Sequence, residues 1–174
     1  MNKTVIWGFW YRVEFPNSPT LPSKDYLSSI VERIKSWAEL DYTNMLKIRA
    51  KVSWSLSALL WVEFPELLDL RGIDLSGINI GQLDLSYSCF DCASFENSRL
   101  EYTWLQFSCW QGINFNRAEL INLQASPMFM INPSFLDTVV EDSFFDNSTI
   151  IEPKVNGLLI KNSEWLSRSL NMSV

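Results

Sequence analysis

Apolar residues recur in this chain at every fifth position. Counting from Leu70, the series is Leu70, Leu75, Ile80, Leu85, Phe90, Phe95, Leu100, Leu105, Trp110, Phe115, Leu120, Ala125, Met130, Phe135, Val140, Phe145 and Ile150, and all seventeen are apolar. With 47% of the chain hydrophobic, chance gives such a run in one frame about three times in a million. Two residues before the central position stand mostly small or aliphatic residues, as at Ser88, Ala93, Ser98, Thr103, Ser108, Ile113 and Ala118. Neither a helix, with period 3.6, nor a strand, with period 2, produces this spacing. A square coil with five residues per side and twenty per turn does. It also predicts that residues twenty apart stack like on like. Phe95, Phe115 and Phe135 form one such column, and Ile80, Leu100, Leu120 and Val140 form the next.

The flanks do not repeat. Val5, Trp7, Phe9, Tyr11 and Val13 alternate with period two and predict a strand; no small-residue cleavage site follows this bulky aromatic run, which argues against a leader peptide. Asn17 to Pro22 reads as a loop. Ser23 is placed to cap a helix running to about Leu40, with Tyr26, Leu27, Ile30, Val31, Ile34 and Trp37 on one face. From Leu46 to Ala58 the period-two alternation predicts a long strand with Lys47, Arg49 and Lys51 on its basic face, while Leu56 to Trp61 is also compatible with a helix. The expected organisation is an N-terminal β-α-β cap or recognition module over residues 1–67, a solenoid over 68–152, and a C-terminal cap over 153–174. In the last, Asn162 or Ser163 caps a short helix carrying Trp165, Leu166 and Leu170.

Ile73-Asp74-Leu75-Ser76-Gly77, Leu83-Asp84-Leu85-Ser86-Tyr87 and Ala118-Glu119-Leu120-Ile121-Asn122 resemble the pentapeptide-repeat family, whose consensus is roughly Ala-Asp/Asn-Leu-x-x. The resemblance covers about half the chain. It implies a mainly β fold, a right-handed quadrilateral β-helix of about four coils whose central side chains fill the bore. It also implies a C-terminal element that closes the solenoid or mediates dimerisation. The match weakens at Ala125-Ser126-Pro127-Met128, where Met128 and Met130 are expected to fill the space left by Ala125. Pro133 falls on an inward position, and a local bulge is expected there. The stack is short, about 20 Å at the usual inter-strand spacing, and both of its ends need caps.

Composition removes several chemistries. There is no histidine, which excludes Ser/His and Cys/His catalysis, imidazole acid–base work and most zinc sites. Three cysteines are too few and oddly numbered for a disulfide framework, which points to a reducing cytoplasm; the sequons at Asn147 and Asn171 then have no role. Cys89 and Cys109, twenty apart, are expected on adjacent coils as small repeat-compatible residues rather than as a metal pair. Gly72 and Gly77 have phosphate-loop spacing, but Ile78 follows where that loop needs lysine, so they read as turn glycines. No catalytic residue, metal or cofactor is expected.

The net charge of −6 is unevenly spread. Residues 61–152 hold 14 Asp/Glu against 3 Arg, between mildly basic flanks. Through the resemblance, an acidic rod implies mimicry of duplex DNA, which carries about twelve charges in 20 Å. The expected function is therefore a non-enzymatic inhibitor or modulator of a DNA-acting enzyme, a topoisomerase or a nucleic-acid-guided defence enzyme. The acidic surface would comprise Asp91, Glu96, Glu101, Asp137, Glu141, Asp142 and Asp146. The alternative is an immunity or adaptor protein that binds one protein partner through an aromatic patch of Tyr87, Tyr102, Trp104 and Phe107 together with the N-terminal module. Direct nucleic-acid binding is not expected from so acidic a surface, and Lys47, Arg49 and Lys51 are the basic face that could oppose that.

Overall fold

The computed structural model describes residues 4–7, 11–14, 20–38, 68–81, 85–86, 88–106, 108–126 and 128–163. From Leu68 onward the chain winds into a parallel β-solenoid with a repeat of twenty residues. Two stacks of short strands form opposite walls. One contains β3 (Leu68–Asp69), β5 (Ser88–Cys89), β7 (Cys109–Gln111), β9 (Phe129–Ile131) and β11 (Thr149–Ile151). The other contains β4 (Asn79–Gly81), β6 (Arg99–Glu101), β8 (Glu119–Ile121), β10 (Val139–Glu141) and β12 (Leu159–Lys161). Every pairing links residue i to i+20, as in Leu100↔Leu120 and Val140↔Ile160. Single bridges make the remaining two walls: Asp74↔Ser94↔Asn114↔Ser134↔Lys154 on one, and Trp104↔Gln124↔Phe144 on the other. The cross-section is therefore quadrilateral. For reference, the four walls are centred on residues 70–150, 75–155, 80–160 and 85–145, each in steps of twenty. Five strands per stack make about 19 Å of rod at roughly 4.8 Å per coil.

The five-residue side follows from local sterics. Each central residue points into the bore and the residue two before it is also inward, while the two between and after face out. The chain then turns through a left-handed residue two positions after the centre. Among the described residues all fifteen with positive φ, from Gly72 to Asn162, lie on that corner register, and Gly, Asn and Asp fill eleven of them because they tolerate this conformation. The central series is buried from Leu70 through Phe145, and Phe95, Phe115 and Phe135 stack as one column. Ala125, Met128 and Met130 are all fully buried.

Buried hydroxyls at the inward positions are satisfied by carbonyls of the same or the neighbouring coil. Ser98 Oγ donates to Phe95 O (2.6 Å) and Thr138 Oγ1 to Phe115 O (2.7 Å). Ser143 and Ser148 also accept backbone N–H groups from Leu123 and Met128, twenty residues earlier.

Three expectations change. The solenoid does not stop at residue 152: Val155 and Ile160 continue the central series, and β12 pairs with β10, so residues 153–161 are two further sides of the coil and not a separate cap. No bulge forms at Pro133, because the inward residue's N–H at equivalent places, such as Ala93 N to Phe90 O (2.9 Å), closes only the corner turn. Proline forfeits that bond, while Asn114↔Ser134↔Lys154 keep register. The alternating N-terminal run is two strands, β1 (Thr4–Trp7) and β2 (Tyr11–Glu14), paired antiparallel with Val5 opposite Val13. The expected strand at 46–58 and the C-terminal helix lie outside the described residues.

The helix α1 spans Lys24–Ala38. Ser23 caps it, its Oγ accepting the Tyr26 N–H (3.2 Å). Ile30 and Ile34 are buried in the same core as the first coil, and α1 packs against β4. Arg71, bidentate to Asp69, also donates to Thr20 O (2.9 Å), which ties the segment before α1 to the first coil. This helix thus shields apolar residues of the first coil that would otherwise face water.

Candidate functional site

The outward residues of a solenoid wall obey no burial constraint, so each must be located individually. Of the seven acidic candidates, three are ion-paired. Glu96 pairs with Arg117 and accepts from Asn114 Nδ2 (3.0 Å). Glu101 lies 3.3 Å from Arg99, which also pairs with Glu119 one coil on. Glu141 lies 3.3 Å from Lys161. These cations sit on the same or the adjacent coil, and the Arg99 guanidinium is held above its ordinary pKa mainly by the Glu119 hydrogen bond.

Asp91 serves the fold: its carboxylate accepts the Gln111 N–H (2.8 Å) from the next coil, and the Cys109 thiol lies 3.9 Å away. Asp137 and Asp142 are corner residues with φ of 54° and 50°, and Asp142 accepts from Asn162 Nδ2 (3.0 Å). Asp146 is exposed on the fourth wall. The seven carboxylates therefore do not make one surface.

Cys89 and Cys109 are Cα partners on β5 and β7, both buried. Burial, with Asp91 adding to it, pushes the Cys89 thiol up to about 12, so it is an unreactive packing residue. Among the described residues no three Cys, Asp or Glu side chains converge as a metal site.

Two of the four aromatic candidates fall among the described residues, and both are exposed. Tyr102 is 46% exposed and Trp104 40% exposed, the first at the corner before the fourth wall and the second on it. Phe144, 55% exposed, stands forty residues after Trp104 in the same bridge column, with Gln124 between them. Sequence reading missed Phe144, although the twenty-residue register that aligned the bore residues places it directly in line with Trp104. Tyr87, Phe107, Lys47, Arg49 and Lys51 lie outside the described residues. The other exposed large apolar residues among those described are Leu21, before α1, and Ile151 and Leu159, on the last two strands.

Tyr102 carries a further signal. Its φ of 52° places a bulky aromatic where Asn, Asp or Gly is intrinsically favoured, and its side chain returns little of that cost by burial.

No protein-family profile and no curated protein matches the sequence. Among solved structures, a pentapeptide repeat protein from the cyanobacterium Cyanothece 51142 is similar over 62% of this chain and 92% of its own, at 14% identity and a TM-score of 0.37. The twenty-residue pairing register described above makes the fold a pentapeptide-repeat β-solenoid. Among the described residues no helix is long and apolar enough to cross a membrane.

Proposed function

We propose that this chain is a non-enzymatic binding protein that engages a single protein partner through its fourth wall. The observation that supports this reading most is the placement of Tyr102 and Trp104 on one coil and Phe144 two coils further on, all exposed, along one face. Aromatic residues held on a rigid, hydrogen-bonded wall give large contact area at small conformational cost, which is the usual character of interface anchors.

Modulation of a DNA-acting enzyme through an acidic DNA-like rod is the second reading, and the net charge of −6 favours it. The geometry gives it less support, because Glu96, Glu101 and Glu141 each have a cation beside them, Arg99 being shared between Glu101 and Glu119. A mimic of the phosphate backbone needs its charges unpaired and regularly spaced.

The two readings separate in one experiment. A photo-crosslinking residue is placed at Gln124 on the fourth wall or at Asn116 on the second, and the tagged protein is mixed with host lysate, with and without excess duplex DNA. The aromatic-wall reading expects a partner crosslinked from position 124 alone, lost with Trp104→Ala and indifferent to DNA. Displacement by DNA, with Trp104→Ala still competent, would replace it by the mimicry reading.

A further inference from the structure

Within the partner-binding reading, on which this step rests, the outward residues around Gln124 form a three-by-three grid. Along the coil axis its rows are Tyr102, Asn122, Asp142; then Trp104, Gln124, Phe144; then Gln106, Ser126, Asp146. The bridges Trp104↔Gln124↔Phe144 fix the middle row, and Tyr102 N to Ile121 O (3.0 Å) and Asn122 N to Glu141 O (2.9 Å) fix the corner row. Successive members of a row are one coil apart, so each row spans about 10 Å. No lysine or arginine occupies any of the nine positions.

The absence of cations separates this wall from the second and third. Glu101, Glu119 and Glu141 on the third wall, and Glu96 on the second, each pair with an Arg or Lys of the same surface. Asp142, by contrast, accepts from an amide, and no cation pairs with Asp142 or Asp146 among the described residues. The grid therefore has Tyr102 and Trp104 at one end, Phe144 flanked by two carboxylates without a paired cation at the other, and amide and hydroxyl groups between them.

We infer that the fourth wall receives an extended, arginine-bearing basic segment of a protein partner. One guanidinium plane stacks on Trp104 and Tyr102, and a second cation about three residues further along the segment pairs with Asp142 and Asp146. The three-residue interval follows from the 10 Å row length and a polyproline-II conformation of the segment, whose three residues per turn and roughly 3.1 Å rise put residues three apart on one face. Charge complementarity selects a cation. The aromatics then select arginine over lysine, because a planar, weakly hydrated guanidinium stacks on a ring whereas an ammonium keeps its water. Tyr102 in its left-handed corner fits the same assignment: the fold would be served better by Asn or Gly there, and the exposed ring serves the partner.

The test uses the full chain and two labelled hexapeptides, one with two arginines three residues apart and one with lysines in their place, read by fluorescence anisotropy at several salt concentrations. The arginine probe should bind about five-fold more tightly than the lysine probe. Trp104→Ala should erase that preference, and Asp142→Asn with Asp146→Asn should weaken both probes and flatten the salt dependence. Tyr102→Asn should weaken the arginine probe while raising the melting temperature, a combination that misfolding does not produce. Asp74→Asn, on the second wall, should leave binding unchanged. Equal affinities for the two probes, untouched by Trp104→Ala, would show attraction to net negative charge alone and overturn the proposal. A Trp104-dependent crosslinked partner with no arginine preference would retain the binding wall and remove arginine from it; loss of both results would remove the wall itself.

Discussion

Phe115 and Phe135 lie one coil apart in the bore, their ring centroids 5.4 Å apart and their planes within 10° of parallel. The contact continues to Phe95 at 5.3 Å from Phe115, so one aromatic column runs through three coils. A solenoid has contacts only between neighbouring coils, and removing the middle member opens a void that both neighbours line. Phe115→Ala should therefore cost about 3–5 kcal/mol in urea unfolding. Phe144→Ala, on the exposed wall, should cost less than about 1 kcal/mol.

Gly157 and Asp137 provide a test of the corner geometry. Gly157 has φ of +73°, and a Cβ there would overlap the Asp137 carboxylate and lie 3.2 Å from the Asp137 Cα. Gly77 has a similar φ of +69° with open space around it. Gly77→Ala should cost about 1 kcal/mol, the left-handed penalty alone. Gly157→Ala should cost about 1 kcal/mol or more beyond that, because backbone of the coil below must shift. Thermal or denaturant unfolding of the two variants checks the difference.

Trp110 is packed among Phe90, Phe95 and Phe115, and its indole Nε1 is buried without a hydrogen-bond acceptor. An unmet buried donor costs about 1–3 kcal/mol, of the same order as the packing that the larger ring supplies. Trp110→Phe should consequently leave stability within about 1 kcal/mol of the parent, in contrast with Phe115→Ala. A loss above 3 kcal/mol would mean that the indole N–H is engaged in a contact worth a hydrogen bond.

Alkaline pH should weaken the fold through Cys89. Its folded pKa is pushed up from the ordinary thiol range to about 12, first by burial and then by Asp91. The unfolded chain therefore loses this proton before the folded chain does. Stability from this group is complete below about pH 9 and falls as pH rises towards 12, with a slope approaching about 1.4 kcal/mol per pH unit. Cys89→Ala should remove that part of the slope in urea titrations at pH 8, 9 and 10. Below pH 9, a thiol reagent should label exposed Cys92 in the native protein, and Cys89 and Cys109 only on unfolding.

The bore was legible in the sequence because it is one environment repeated. A central Leu, Phe or Ile at every fifth position, small residues two before it and Gly, Asn or Asp at the corners answer the same packing demand in each coil, and chance does not imitate seventeen such positions. Even the extension past residue 152 was present as Val155 and Ile160. Pro133 was misread because sequence shows that proline lacks an N–H but not whether the ladder uses it.

The walls are different. An outward Glu can face solvent, an arginine twenty residues away or a backbone amide, and its own position says nothing of which. Glu96, Asp91 and Asp146 look alike in the chain and have three different surroundings in the structure. Sequence alone thus determined the coil, its register and its interior, since burial and close packing act on every repeat in the same way. The tertiary structure decided which carboxylates have a cation beside them and which aromatics stand exposed along one wall, since those depend on what neighbouring coils place alongside.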